Sequence, residues 1–344
     1  MKVSLLNYKN QLLEQMLKLL WSGWAQLGVA GYKPVGWKRV IDIEALILTT
    51  CFWGRYDQRL FDEMLSWLLA HERFVNIQRL QTIIKKETFH ESGLLGPISR
   101  KLCQKNRTPK WRGIASKLER RHAVLLPEKL FLLPDNKPLP VVGAIDDDFA
   151  ECGFLRLPFI DRQLSTDFAT GVAATLQLQL RAFFGVCSRA EIMLAFFINN
   201  QASISDIAAS SYYSWKSIQE ALFEMSHSGI VSHPASKRER RYYLASENWT
   251  KLFIGKKTDY PEKFNWCKFF SAMEILWQKV SNSAFGSLSE QSMDIEIADM
   301  LHQHLQSLLT AADENWRVPS PATSCESFLA TFSAFIITQL KQLE

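Results

Sequence analysis

Residues 188–244 restrict the fold more than any other stretch, because helical spacing gives way there to β-prone runs around a cationic tip. Ser188 followed three residues later by Glu191 fits a capping box that opens a helix to about Asn199. Ile192, Ala195 and Phe196 recur on one face of that helix. Asn199-Asn200-Gln201 breaks the pattern, and Ser203 caps a second helix over Ile204 to Ser210. Ser211-Tyr212-Tyr213 reads as a turn, and Ser214 caps a third helix reaching about His227. Ile218, Leu222 and Met225 form its apolar stripe with Ala221 beside them, and Gly229 supplies the left-handed residue that ends it. Ile230 to His233 and Arg241 to Leu244 are strand-like runs flanking the polar tip, Pro234 to Arg240.

The run SISDIAASSYYSWKSIQEALFEMSHSGIV, followed by SHPASKRERRYYL, resembles the winged-helix domains of bacterial transcription regulators of the MarR and ArsR kind. The resemblance rests on an Ile-Ala dipeptide in the second helix, a Ser-capped third helix, a Gly-Ile-Val exit and a basic wing ending in Tyr-Tyr-Leu. It covers Ser188 to Leu244 only. It implies that the third helix enters the major groove of double-stranded DNA while the wing follows the backbone or the minor groove. The implied DNA-binding residues are Ser214, Trp215, Lys216, Ser217 and Gln219, with Glu220 beside them, and the wing cations Lys237, Arg238, Arg240 and Arg241.

Charge is distributed unevenly. The net value is +5, but residues 85–121 carry eleven cations against three acids, and residues 258–344 carry five cations against eleven acids. The segment Arg100 to Arg121 reads as a basic arm, and Arg107, Lys110, Arg112, Arg120 and Arg121 are its candidate phosphate contacts. Clustered cations of this kind suit a polyanionic partner, and the acidic C-terminal part should face away from one. The six cysteines lack CxxC spacing, which suggests reduced thiols in a cytoplasmic protein. No cleavable leader pattern is visible, and no apolar run approaches the roughly 18 residues that a membrane span needs.

The expected fold is mainly α, in four parts. Residues 1–124 form a helical domain carrying the basic arm, and 125–180 a Pro-rich β or extended connector. Residues 181–257 form a winged helix-turn-helix with a small β-wing, and 258–344 a helical region. In the first part Leu12, Leu13, Met16, Leu19 and Leu20 mark an amphipathic helix, and Trp21 to Trp24 read as a loop with aromatic anchors. Three more helical runs follow, Ile43 to Trp53, Asp57 to Ala70 and Val75 to Lys86. They form either a plain packing unit or a second DNA reader displaying Asn76, Gln78, Arg79 and Lys85. Asp146-Asp147-Asp148 with Glu151 reads as a solvated acidic turn, Mg²⁺ binding being the lesser alternative. The C-terminal helices, with Phe269, Met273, Leu276 and Val280 in one stripe, read as a homodimer or partner interface, or equally as a lid on their own chain.

Asp294 and Glu296 after Gly286-Ser287 echo the metal-binding signature of nucleotidyltransferases, but two residues apart on a helix they face different ways. His302 and His304 fail as a zinc pair for the same reason, so no metal site and no cofactor is expected. Phosphate-loop, dinucleotide and nucleophile-elbow patterns are absent, and no enzymatic activity is expected. The expected function is therefore DNA-binding transcription regulation through a winged helix. The alternative is a winged-helix protein-interaction module, an adaptor or antitoxin-like partner, with Trp215 as its aromatic anchor.

Overall fold

The computed structural model describes residues 5–32, 36–107, 109–115, 127–234, 240–254, 260–321 and 327–343, and those residues are mainly helical with little strand. The first helix, α1 (Leu5–Gln26), buries Leu12, Leu13, Met16, Leu19 and Leu20, as their spacing requires. It does not stop at Trp21 but runs on through Gly23 and Trp24. Gly23 is there for closeness, not for a turn: a Cβ at that position would meet the Trp37 ring at 3.3 Å and Leu46 Cδ1 at 3.5 Å. The turn comes at Gly28, whose φ of 93° is the left-handed conformation that glycine adopts without strain.

Helix α2 (Ile43–Trp53) is buried along all 11 residues, so it forms the centre of the N-terminal half and shows no amphipathic pattern. Around it stand α3 (Gln58–His71), α4 (Ile77–Lys86) and α5 (Leu95–Asn106). Asp42, Asp57 and Asn76 accept from backbone N–H groups in the first turns of α2, α3 and α4, satisfying donors that a helix start leaves unpaired. This arrangement corrects one expectation. Asn76 and Arg79 are not displayed outward but are 8% and 3% exposed, leaving Gln78 and Lys85 on the open face of α4.

The segment 127–175 is mostly extended. A parallel pair, β1 (Glu128–Lys129) and β2 (Phe154–Leu155), is its only named sheet among the described residues. Its acidic turn is solvated only in part: Asp147 and Glu151 are exposed, while Asp146 is buried and Asp148 half-buried. Lys101 of α5 lies 3.0 Å from both Asp146 and Asp148, and Arg100 pairs with Asp148 at 3.6 Å and with Glu151. Arg100 and Lys101, at the start of the basic arm, are thus paired with the acidic cluster.

Two hydrophobic cores organise the chain. The larger one joins α1 to α5 with the C-terminal helices α11 (Trp266–Ser281), α12 (Glu290–Met300), α13 (Gln306–Ala312) and α14 (Phe328–Leu343). Helix α11 packs on α2 and α13, while α14 packs on α1 and α12. Phe269, Met273, Leu276 and Val280 are all buried, and the removal of each from water contributes roughly 1.5–3 kcal/mol. The apolar stripe of α11 is therefore covered by the chain's own helices.

The second core holds α6 (Leu176–Phe184), α7 (Ser188–Asn199), α8 (Ile204–Ser211), α9 (Trp215–His227) and α10 (Asn248–Phe253). Its three-stranded antiparallel sheet is formed by β3 (Gln201–Ala202), β4 (Val231–Ser232) and β5 (Tyr242–Leu244), in the order β3-β5-β4. Ala202 faces Tyr242 and Val231 faces Leu244 across β5. Strand β3 escapes a reading by pattern because two residues carry no periodicity.

Candidate nucleic-acid interface

Helix α9 is amphipathic in the plainest sense. Ile218, Ala221, Leu222 and Met225 enter the second core, and Lys216, Gln219, Glu220, Phe223, Glu224 and His227 are exposed. Its start is fixed by Ser214, whose hydroxyl accepts from the Ser217 N–H at 3.1 Å and shares a 2.8 Å hydrogen bond with the Ser217 hydroxyl. Its end is a Schellman motif. Gly229 has φ 73°, its N–H donates to the Ser226 carbonyl, and the Ile230 N–H donates to the Met225 carbonyl. The preceding helix α8 starts in a capping box: Ser203 accepts from the Asp206 N–H at 3.2 Å and Asp206 accepts from the Ser203 N–H at 3.0 Å. The capping box expected for Ser188 and Glu191 does not form. Cys187 occupies the cap without a side-chain bond, and Glu191 turns inward.

Glu191 turns inward because Arg181 holds it. Arg181, fully buried, donates through Nε at 2.9 Å and Nη2 at 2.6 Å to Glu191 Oε1. The same guanidinium donates to both oxygens of Glu44 on α2 and to the Phe74 carbonyl at 2.8 Å. Arg79 completes the cluster, reaching Glu44 Oε2 at 2.5 Å, Asp42 Oδ1 at 2.7 Å and the Ser211 carbonyl at 3.0 Å. Burial pushes the Asp42 carboxyl up, and the neighbouring Arg79 guanidinium overrides it, leaving the group below its ordinary range. Burial likewise works against both arginines, and their carboxylate partners raise them above the ordinary guanidinium value. Two guanidiniums and three carboxylates thus pair with one another, all but Asp42 of them buried, and they straddle the two cores.

The turn leading into α9 belongs to the same junction. Tyr212, in the left-handed conformation with φ 60°, is buried with the larger core and donates to Glu87 Oε1 at 2.8 Å. Asn76 donates to the Tyr213 hydroxyl. Lys86 Nζ lies 5.9 Å from the centre of the Tyr212 ring, placing an exposed cation of α4 next to this turn. The sequence offered one signal for the junction, charged residues embedded in apolar runs (Glu44 and Arg181). It offered none for their pairing.

The expected site residues separate into groups. Trp215, Lys216 and Gln219 stand together on the open face of α9, Trp215 at 50% exposure, while Ser214 and Ser217 are engaged with one another. Lys216 lies 3.8 Å from Glu220, and Arg189 of α7 pairs with Glu224, so the acids of this face are partly compensated. Arg240 is exposed and Arg241 half-buried at the start of β5, while Lys237 and Arg238 lie outside the described residues. In the arm, Arg107 is exposed with φ 52°, and Arg112 is exposed. Lys110 donates to the carbonyls of Glu72 and Arg73 at 2.8 and 3.2 Å, closing the turn after α3. Arg120 and Arg121 lie outside the described residues. The arm's Trp111 is fully buried in the larger core, whereas α9 belongs to the second, so arm and helix are carried by different parts of the molecule. Sequence reasoning missed Phe223, 66% exposed on α9.

Among the described residues no group of three or more His, Cys, Asp or Glu is placed to hold a metal ion, and no helix is long and apolar enough to cross a membrane. Asp294 accepts from the Ser327 hydroxyl and the Leu329 N–H, both at 2.8 Å, and Glu296 pairs with Lys279, so each has a structural partner. In comparisons with known proteins, no family model, no curated protein and no solved structure matches the chain.

Proposed function

We propose that the chain is a DNA-binding transcription regulator in which residues 188–244 act as a winged helix. One observation carries this reading: α9 packs one face into a core, opens the other to solvent, and is followed by an antiparallel pair joined through a basic tip. The order helix, strand, helix, helix, strand, strand, with β5 central, supports the same assignment. An α-helix of this kind fits the major groove, where Gln219 pairs with an adenine edge and Lys216 with a guanine. Arg240 and Arg241 supply phosphate contacts from the wing, and Lys86 adds one beside the turn into α9. Replacing Arg240 and Arg241 with alanine lowers affinity for every duplex and flattens the salt dependence by about 2 in log–log slope. Gln219→Ala instead changes sequence preference, by roughly 1–3 kcal/mol at one base pair. Unchanged binding in both variants removes the proposal.

A second reading is favoured by two exposed rings on α9, Trp215 and Phe223, flanking Glu220. Aromatic anchors beside acids suit a protein partner better than a phosphate backbone. On that reading the chain is an adaptor or antitoxin-like module, and it shows no duplex binding at any salt concentration.

A further inference from the structure

Between the two cores lies a cleft of about 940 Å³, within the range of roughly 300–1,000 Å³ typical of small-molecule sites. Its far wall is aromatic. Phe264, Trp316 and Phe335 are each half-buried there, and Trp316 stands edge-on to the other two with centroids 5.7 and 6.1 Å away. Its near wall is the back of α7, through Leu194, Ala195 and Ile198, and its floor reaches Asp42, Arg79 and Glu191 of the buried ionic cluster.

The polar groups of the cleft decide what fits. Arg39 pairs with Glu262 at 3.0 Å and lies over the Phe264 ring, so its guanidinium is already engaged. Gln339 and Gln342 on α14 line the cleft with amides that make no hydrogen bond to other described residues. Gln339 is half-exposed and Gln342 exposed, so both amides are open to a ligand, and primary amides match the paired donor and acceptor of a heteroaromatic edge. Formal charges, by contrast, are nearly all compensated. Lys263 lies 3.4 Å from Glu314, Asp42 is held by Arg79, and Asp313 accepts from the Asn315 N–H at 2.9 Å. With five carboxylates against four cations in its lining, the cleft offers a polyphosphate no net attraction.

We propose that this cleft binds an uncharged planar heteroaromatic molecule of nucleoside size, stacked on the Trp316 side and read by Gln339 and Gln342. The site stands independently of duplex binding by α9. Its test is calorimetric titration of the full chain with adenosine, guanosine, cytidine and uridine, with tryptophan fluorescence recorded in parallel and ATP as the charged control. At least one nucleoside binds with a dissociation constant below about 100 μM. Gln339→Ala and Trp316→Leu each weaken that binding by about tenfold or more, and ATP binds more weakly than adenosine. Gln339 is half-exposed, so its variant remains decisive if Trp316→Leu fails to fold. Absence of binding by all four nucleosides at about 1 mM overturns the proposal. So does binding that Gln339→Ala leaves unchanged, or tighter binding of ATP.

Discussion

Arg181 grips Glu44 with both ends of its guanidinium, Nη1 to Oε1 at 2.6 Å and Nη2 to Oε2 at 3.0 Å, and both side chains are fully buried. Glu44 belongs to the central helix of the larger core and Arg181 to the second core, so this pair joins them. The bidentate geometry suits arginine and would be lost with lysine.

Removing one partner leaves the other charge buried and unpaired. Arg181→Met leaves Glu191 without its cation and Glu44 with Arg79 alone, and should lower stability by about 3–5 kcal/mol in chemical denaturation. Glu44→Gln combined with Arg181→Met should cost less than the sum of the two single changes, because the stranded charge is reduced. A loss below about 1 kcal/mol for Arg181→Met contradicts this account of the junction.

Glu274 gives a pH signature. It is fully buried on α11, one carboxylate oxygen accepts from the His90 N–H at 3.0 Å, and the other has no partner. Burial is the dominant cause of a pKa raised to about 7, with the His90 hydrogen bonds opposing it. Between the ordinary glutamate value and about pH 7 the folded chain holds a proton that the unfolded chain has lost, so stability falls as pH rises through that window. The slope from this group is at most about 1.4 kcal/mol per pH unit. Thermal unfolding of Glu274→Gln at pH 5 and pH 8 (roughly either side of the window) should show that this component has gone. An unchanged pH dependence argues against it.

Two caps define the helices of the second core. Ser203→Ala removes a reciprocal capping box and should cost about 1 kcal/mol. Gly229→Ala places a Cβ in the left-handed conformation and should cost about 1–2 kcal/mol. Denaturation midpoints followed by circular dichroism measure both, and a neutral Gly229→Ala would show that the Schellman turn is not maintained.

The cations divide by whether the chain has already used them. Lys101 is 3.0 Å from two carboxylates, while Lys86 is exposed beside the turn into α9. Lys86→Ala should therefore weaken duplex binding, measured by fluorescence anisotropy at low salt, and Lys101→Ala should leave it unchanged. The reverse ranking would move the proposed duplex-binding surface to α5.

Legibility in the sequence followed the range of the interactions. Ser203, Ser214 and Gly229 act within four residues of themselves, so helices α8 and α9 could be placed from the chain alone. Gly23 misled because a close approach to Trp37 looks, in sequence, like a helix breaker. Glu191 misled because a capping box and a buried ion pair require the same residue, and its partner Arg181 competes for it. The basic run at Arg100 and the acidic run at Asp146 looked like separate surfaces until the fold brought them together. Glu44, 137 residues from Arg181, has no local pattern that names its partner.

The most direct measurement is anisotropy of a labelled random duplex titrated with the full chain across a salt series from about 50 to 200 mM. The account predicts binding at the low end that weakens steeply and linearly in log–log form. No binding at any salt concentration, or binding indifferent to salt, would contradict it.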